Sequence, residues 1–243
     1  LSGIYESLFS PPRKGIFALV DPDRDAHLDR LLPLLTRSSQ VRGILVGGSF
    51  LEHPDFCGWF RRLRERVDLP LILFPGSGYQ LCPEADAVLY LSLLSGRNPR
   101  YLIEEQVRAA PRVRAWNLET IPTAYLLVGD GGNTSVAYVT QTQPIPARKV
   151  ELVTAHALAA QYLGFRLIYL EAGSGAAQPI PPDVVRAVRE TVHLPLMVGG
   201  GLRRAEDVEA ILRAGADFVV LGTILEQNPA FLAEWEKNHA RDV

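Results

Sequence analysis

The sequence predicts an α/β fold, a (β/α)₈ barrel, on three observations. Eight short apolar segments recur along the chain, each closed by glycine or a polar cluster, and most lead into a helical pattern. Several are apolar throughout rather than alternating, as expected of parallel strands covered on both faces. The length, 243 residues, is close to the roughly 250 that eight such units need. An open doubly wound sheet is the alternative architecture.

The predicted strands are 16–20, 43–46, 71–74, 87–91, 123–128, 167–170, 196–198 and 218–221. Helical spacing between them is clearest at 150–163, through Val150, Val153, Ala157 and Leu158, and at 205–214, through Val208, Ile211 and Leu212. Pro182 stands where a first helical residue is favoured, ahead of 183–191. Two connections are irregular. Segment 75–85 holds Pro75, Gly76, Gly78 and Pro83, so the third outer helix is expected to be shortened or missing, leaving a slot in the barrel wall. Segment 129–147 is rich in Gly, Thr, Gln and Pro, with a hairpin expected at 136–139, and its length marks a lid or binding loop. A faint echo links Pro70-Leu71-Ile72-Leu73 and Ala85-Asp86 to Pro195-Leu196-Met197-Val198 and Ala216-Asp217. Half-barrel duplication and chance recurrence explain it equally well.

Composition narrows the function. Residues are 47% hydrophobic, and 25 basic side chains face 27 acidic ones, for a net charge of −2. That balance lacks the basic footprint of a nucleic-acid binder. Cys57 and Cys82 stand without zinc or disulfide spacing. No apolar run approaches a membrane span, and Leu1-Ser2-Gly3 begins no basic leader, so a cytoplasmic protein is expected.

Active sites of such barrels lie on the loops after the strands. Three glycine turns close consecutive strands there: Gly173-Ser174-Gly175, Gly199-Gly200-Gly201, and Gly222-Thr223. Together they form a cup in which backbone N–H groups can crowd round a phosphate. Gly173-Ser174-Gly175 is no nucleophile elbow, because Ala172 precedes it and no strand end offers a histidine. Alternation turns Tyr169 and Glu171 into the mouth, where a carboxylate can accept bonds from, or take a proton from, a polyol hydroxyl. The plain alternative is a barrel-layer glutamate satisfied by an arginine. Across the rim, Asp21 and Ser49 offer hard oxygen ligands suited to Mg²⁺ and a diphosphate. Asp23 and Asp25 have a rival explanation as helix caps, and Asp21 has less claim to one. Leu81, Leu91, Leu93 and Leu94 lie near the expected slot and could line an exit for an apolar tail, although ordinary core packing explains each of them singly.

These residues resemble the geranylgeranylglyceryl phosphate synthase family, which includes bacterial heptaprenylglyceryl phosphate synthases. The resemblance runs nearly end to end, so residues 1–243 are expected to form a single TIM-barrel prenyltransferase domain. It is carried by Val20-Asp21-Pro22-Asp23, Val46-Gly47-Gly48-Ser49, Leu73-Phe74-Pro75-Gly76-Ser77, Val198-Gly199-Gly200-Gly201, and most specifically Tyr169-Leu170-Glu171-Ala172-Gly173-Ser174-Gly175. It implies transfer of a polyprenyl group, geranylgeranyl foremost, from its diphosphate to the C3 hydroxyl of sn-glycerol 1-phosphate, giving an ether-lipid precursor. By that likeness Asp21 and Ser49 hold Mg²⁺. Tyr169, Leu170, Glu171, Ala172, Gly173, Ser174, Gly175, Gly200, Gly201, Gly222 and Thr223 hold the glycerol phosphate, with Tyr169 and Glu171 catalytic. Three departures from the family pattern are Arg24 for a common Lys, Gln141-Thr142-Gln143-Pro144 for a commonly charged string, and Leu202 for Ile.

The nearest rival is a sugar-phosphate isomerase of the histidine or tryptophan pathways, using Asp21 and Asp130. It predicts a closed third helix and no need for Mg²⁺. A non-catalytic phosphometabolite sensor is the reading from another class; it would tolerate loss of the Asp21–Ser49 pole. Beyond its two substrates the chain is expected to touch a membrane surface transiently, to deliver a lipid product. Val136, Tyr138 and Val139 point to self-association as a homo-oligomer.

Overall fold

Each apolar segment forms a strand because alternate side chains find two different apolar neighbourhoods. In the computed structural model, which describes residues 3–129 and 134–239, the strands are β1 Gly15–Val20, β2 Val41–Val46, β3 Leu71–Leu73, β4 Ala87–Leu93, β5 Glu119–Leu127, β6 Leu167–Glu171, β7 Leu196–Gly199 and β8 Phe218–Leu221. All eight pair in parallel, and β8 returns to β1 to close the barrel. Phe17, Leu45, Ile72, Tyr169, Met197 and Phe218 fill the interior. Their neighbours Ile16, Ile44, Leu71, Leu170, Val198 and Val219 face the outer helices. Burial on both faces explains the unbroken apolar runs.

The helices are α1 Ile4–Leu8, α2 Leu28–Arg37, α3 Phe56–Arg64, α4 Glu105–Ala115, α5 Ser135–Thr140, α6 Val150–Tyr162, α7 Pro182–Thr191, α8 Ala205–Arg213, α9 Thr223–Gln227 and α10 Phe231–His239. Pro182 takes the first helical position of α7. A π-helical turn, Arg100–Glu104, leads into α4. None of the described helices is long and apolar enough to cross a membrane. Between β3 and β4 there is no helix, only a segment of turns. The barrel wall is therefore breached where the prolines and glycines predicted it.

Two expectations fail locally. β5 begins four residues ahead of the predicted 123, because Pro122 is accommodated within the strand, opposite Tyr90, with its carbonyl accepting from Arg166 N. Residues 136–139 form helix α5, not a hairpin. Thr134 caps it through Ala137 N, and Gln141 ends it in the left-handed conformation at φ 53°. Local capping thus outweighs the β preference of two valines. Of the three residues expected at a subunit contact, Tyr138 stands 85% exposed, while Val136 turns into the rim cavity and Val139 is half-buried.

The sequence echo has a structural counterpart. Arg64 pairs with Asp86 and donates to Val67 O and Leu69 O, while Asp86 accepts from Leu71 N. Arg189 does the same with Asp217, Val192 O, Leu194 O and Leu196 N. The same clamp thus fixes the start of β3 and the start of β7, half a barrel apart.

The floor is closed by the N-terminal segment. Glu119 accepts from Ile4 N and Tyr5 N at the start of α1, and Phe9 stacks on Phe17 and meets Phe218 edge-on at 5.0 Å. Phe9 is 1% exposed, so Phe9→Ala should lower the unfolding free energy by about 3–5 kcal/mol in urea denaturation.

Candidate functional site

A cavity of about 500 Å³ opens at the carboxyl ends of the strands. Among its buried polar groups is Glu171, the last residue of β6, only 5% exposed. One oxygen accepts from Gly173 N at 2.7 Å, so its partner is the following turn and not an arginine. Burial pushes its carboxyl up to about 7, against the lowering effect of that N–H and of the Tyr169 hydroxyl. Tyr169 is fully buried, and its hydroxyl meets no partner of hydrogen-bond geometry. It lies beside the Glu171 carboxylate and within the field of its charge. Burial, and then that charge, push the Tyr169 and Tyr125 hydroxyls well above the ordinary tyrosine range, so both remain donors.

Two aromatic residues beside this pair were not singled out from sequence. Phe74 stacks on Tyr169 at 5.3 Å, and Tyr125 meets Tyr169 edge-on at 5.3 Å. Tyr125 is opposite Tyr169 in the β5–β6 register, so alternation along β5 could have found it. Phe74 lies just beyond a three-residue strand, too short for its direction to be read.

The glycine cup is assembled as expected from β6, β7 and β8. Ser174, Gly175, Gly200, Gly201, Gly222 and Thr223 all line the cavity. Gly200 has no substitute: its φ is +81°, and a Cβ would stand 2.2 Å from Glu171 Oε1. The structure does not bring the whole Tyr169–Gly175 string to the cavity. Leu170 and Ala172 pack outward against the helices, because alternation that points Tyr169 and Glu171 inward must turn these two out. Gly173 is not among the cavity-lining residues and instead donates its N–H to Glu171, holding that carboxylate in place.

On the opposite rim Asp21, Gly48 and Ser49 line the same cavity. Asp21 itself is the cap: Oδ1 accepts from Asp23 N at 3.0 Å. Asp23 instead accepts from Glu52 N at 2.7 Å, tying the loops after β1 and β2 together, and Asp25 accepts from the Trp59 indole. Burial raises the Asp21 carboxyl above its usual range, the Asp23 charge adds to this, and the Asp23 N–H and Arg24 oppose it. Oδ2 lies against Gly48. Among the described residues no cluster of three His, Cys, Asp or Glu could hold a metal. One carboxylate and a neighbouring hydroxyl fit a cation that keeps water and takes its remaining ligands from a substrate. Arg24 pairs with Glu226 at 3.7 Å across the rim.

From this mouth the cavity runs into the breach, between the helix-free segment and α4. Leu81, Leu91, Leu93, Tyr101 and Ala109 line it. Leu94, expected there, packs against the outer core. The missing helix also argues against the isomerase alternative; its second acid, Asp130, lies outside the described residues.

Fold and site together define a (β/α)₈ barrel whose glycine-lined rim cavity runs into an apolar side groove. The PcrB family model matches residues 13–238, and the chain belongs to the PcrB family. It is 47% identical over 232 residues to the geranylgeranylglyceryl phosphate synthase of Methanopyrus kandleri, covering 90% of this chain and 96% of that protein. With the enzyme of the same name from Flavobacterium johnsoniae it shares 41% over 236 residues, covering 95% and 97%. Among solved structures it is similar to the (S)-3-O-geranylgeranylglyceryl phosphate synthase of Thermoplasma acidophilum in complex with sn-glycerol-1-phosphate. That match has a TM-score of 0.87 and 32% identity, over 98% of this chain and 100% of the other.

The raised Glu171 carboxyl has a consequence for stability. Its folded value of about 7 lies above the ordinary 4.5, so folding favours the protonated form. The contribution is complete below about pH 4.5 and is lost as pH rises through 7. Glu171→Gln, which cannot ionise, should therefore unfold at a higher temperature than the wild type above pH 7. The advantage, at most about 3 kcal/mol, should vanish toward pH 4.5 in calorimetric scans.

Proposed function

We propose that this chain transfers a polyprenyl group, geranylgeranyl foremost, from its diphosphate to the C3 hydroxyl of sn-glycerol 1-phosphate. The C–O bond to diphosphate breaks, the ether bond forms, and the hydroxyl proton leaves. The observation that carries the reading is the buried Glu171 carboxylate beside the unpartnered Tyr169 hydroxyl, set between an anion cup and an apolar groove. It is supported by the names of the relatives and by the glycerol phosphate bound to the Thermoplasma enzyme.

In this reading the glycine turns of Gly200, Gly201 and Gly222, with Ser174, Gly175 and Thr223, anchor the phosphate and make the encounter intramolecular. Tyr169 donates to a glycerol oxygen, satisfying its buried hydroxyl. Glu171, poised near neutrality, accepts the C3 proton as the ether forms. Asp21 and Ser49 would hold Mg²⁺, which when bound supplies charge neutralisation to the departing diphosphate. The tail lies along Leu81, Leu91 and Ala109. We place the reaction in the cytoplasm, with transient membrane contact for delivery of the lipid and self-association through the exposed Tyr138.

The test is radiolabelled transfer from geranylgeranyl diphosphate to sn-glycerol 1-phosphate or its 3-phosphate enantiomer, with and without Mg²⁺. Product from the 1-phosphate alone is the expected outcome; no product from either would end the reading. Glu171→Gln should lower kcat by about 10²-fold or more with little change in KM. The kcat/KM profile of the wild type should have an acid limb near 7 that the variant lacks. Asp21→Asn should raise the Mg²⁺ and prenyl diphosphate concentrations needed, leaving the KM of the glycerol phosphate unchanged.

A further inference from the structure

Gln80 does not line the cavity, yet its side chain makes three hydrogen bonds to backbone, within and beside the segment that replaces the third outer helix. It is 5% exposed. Its Nε2 donates to Gly48 O at 3.0 Å, and its Oε1 accepts from Gly76 N at 3.0 Å and from Gly48 N at 3.4 Å. The two loops are pressed together at that point: a Cβ on Gly76 would stand 2.4 Å from Gly48 O, and one on Gly47 would stand 2.2 Å from Phe74 O. Two residues earlier the same segment is latched to the groove's other wall. Gly78 N donates to Glu105 Oε2 at 2.7 Å, Gly78 O accepts from Arg112 at 3.3 Å, and Arg100 holds Glu105 at 2.7 Å. One residue later, Leu81 lines the groove, and its carbonyl accepts from the Cys57 thiol on α3.

Residues 78–81 thus join, within four positions, the wall of the apolar groove and the backbone beside Ser49. A buried amide that satisfies both the N–H and the C=O of Gly48 fixes the orientation of the peptide units on either side of it, and with them the rim that would face a diphosphate. We propose that Gln80 is a positioning residue that couples occupation of the groove to the geometry of the 47–49 loop. A tail seated against Leu81 and Ala109 orders the segment, and Gln80 passes that order to the Gly48–Ser49 backbone. Binding energy from the remote tail is thereby used at the reacting end. The inference rests on the prenyl-transfer reading above.

The test compares wild type with Gln80→Leu and with the near-isosteric Gln80→Glu, which keeps the acceptor toward Gly76 and loses the donor to Gly48. Hydrogen exchange of amides 47–50 and 76–79 should quicken about tenfold in both variants, with 173–175 and 199–201 unchanged. In the wild type kcat should rise from geranyl to geranylgeranyl diphosphate. In the variants that rise should flatten while the KM of sn-glycerol 1-phosphate holds. Unaltered exchange at 47–50, a wild-type kcat indifferent to tail length, or a rise that survives in Gln80→Glu would each overturn the proposal. If Gln80→Leu does not fold, Gln80→Glu decides alone. Absence of transfer by the wild type would end the functional reading instead, and the exchange data would still show whether Gln80 holds the loop.

Discussion

A carboxylate buried at the end of β6 with a single backbone hydrogen bond is the constraint round which the rim is built. Glu171 is held by Gly173 N–H, and that bond needs the turn at 172–175 to fold back on the strand. The turn in turn leaves space only for a glycine at 200, whose backbone passes within van der Waals reach of the carboxylate. One under-solvated charge therefore fixes the conformations of two of the three glycine turns. The same burial raises its proton affinity to the neutral range, where a group can both take and surrender a proton.

The opposite rim works by a different logic. Asp21 caps its own loop, while Asp23 and Gln80 bond the backbone of neighbouring loops, so that side is made rigid by cross-links between successive loops. The glycine turns need no such ties, because they follow directly from strands. In the proposed reaction the barrel would hold one substrate with its frame and the other with its connections.

Most of the barrel was legible because its strands are buried on both faces and therefore read as unbroken apolar runs. The breach was legible because proline and glycine forbid a helix at 75–85. Of the candidate site, Tyr169, Glu171, Gly200 and Asp21 could be placed at the cavity from strand ends and glycine turns alone, since strand alternation and turn geometry fix where such residues face. Leu170 and Ala172 came in with a contiguous string, and only the two-residue period of the strand separates them from their inward neighbours. Residues 136–139 were misjudged because a Thr cap and a left-handed Gln decide a one-turn helix, and neither is visible in hydrophobic period. Phe74, Tyr125 and Gln80 act through three-dimensional neighbours on other strands. Glutamine in a loop carries no signal of burial, so its bonds to Gly48 and Gly76 appear only in the folded chain.

The aromatic floor of Phe9, Phe17 and Phe218 makes the barrel a vessel with one open end. Whatever enters by the rim must leave by it or sideways through the breach. A product carrying an anionic head and an oily chain in one molecule would then be gripped at both ends when the reaction is over. Letting go, rather than making the bond, would set the pace of such a catalyst, and a receptive sink for the chain outside the breach would hasten it.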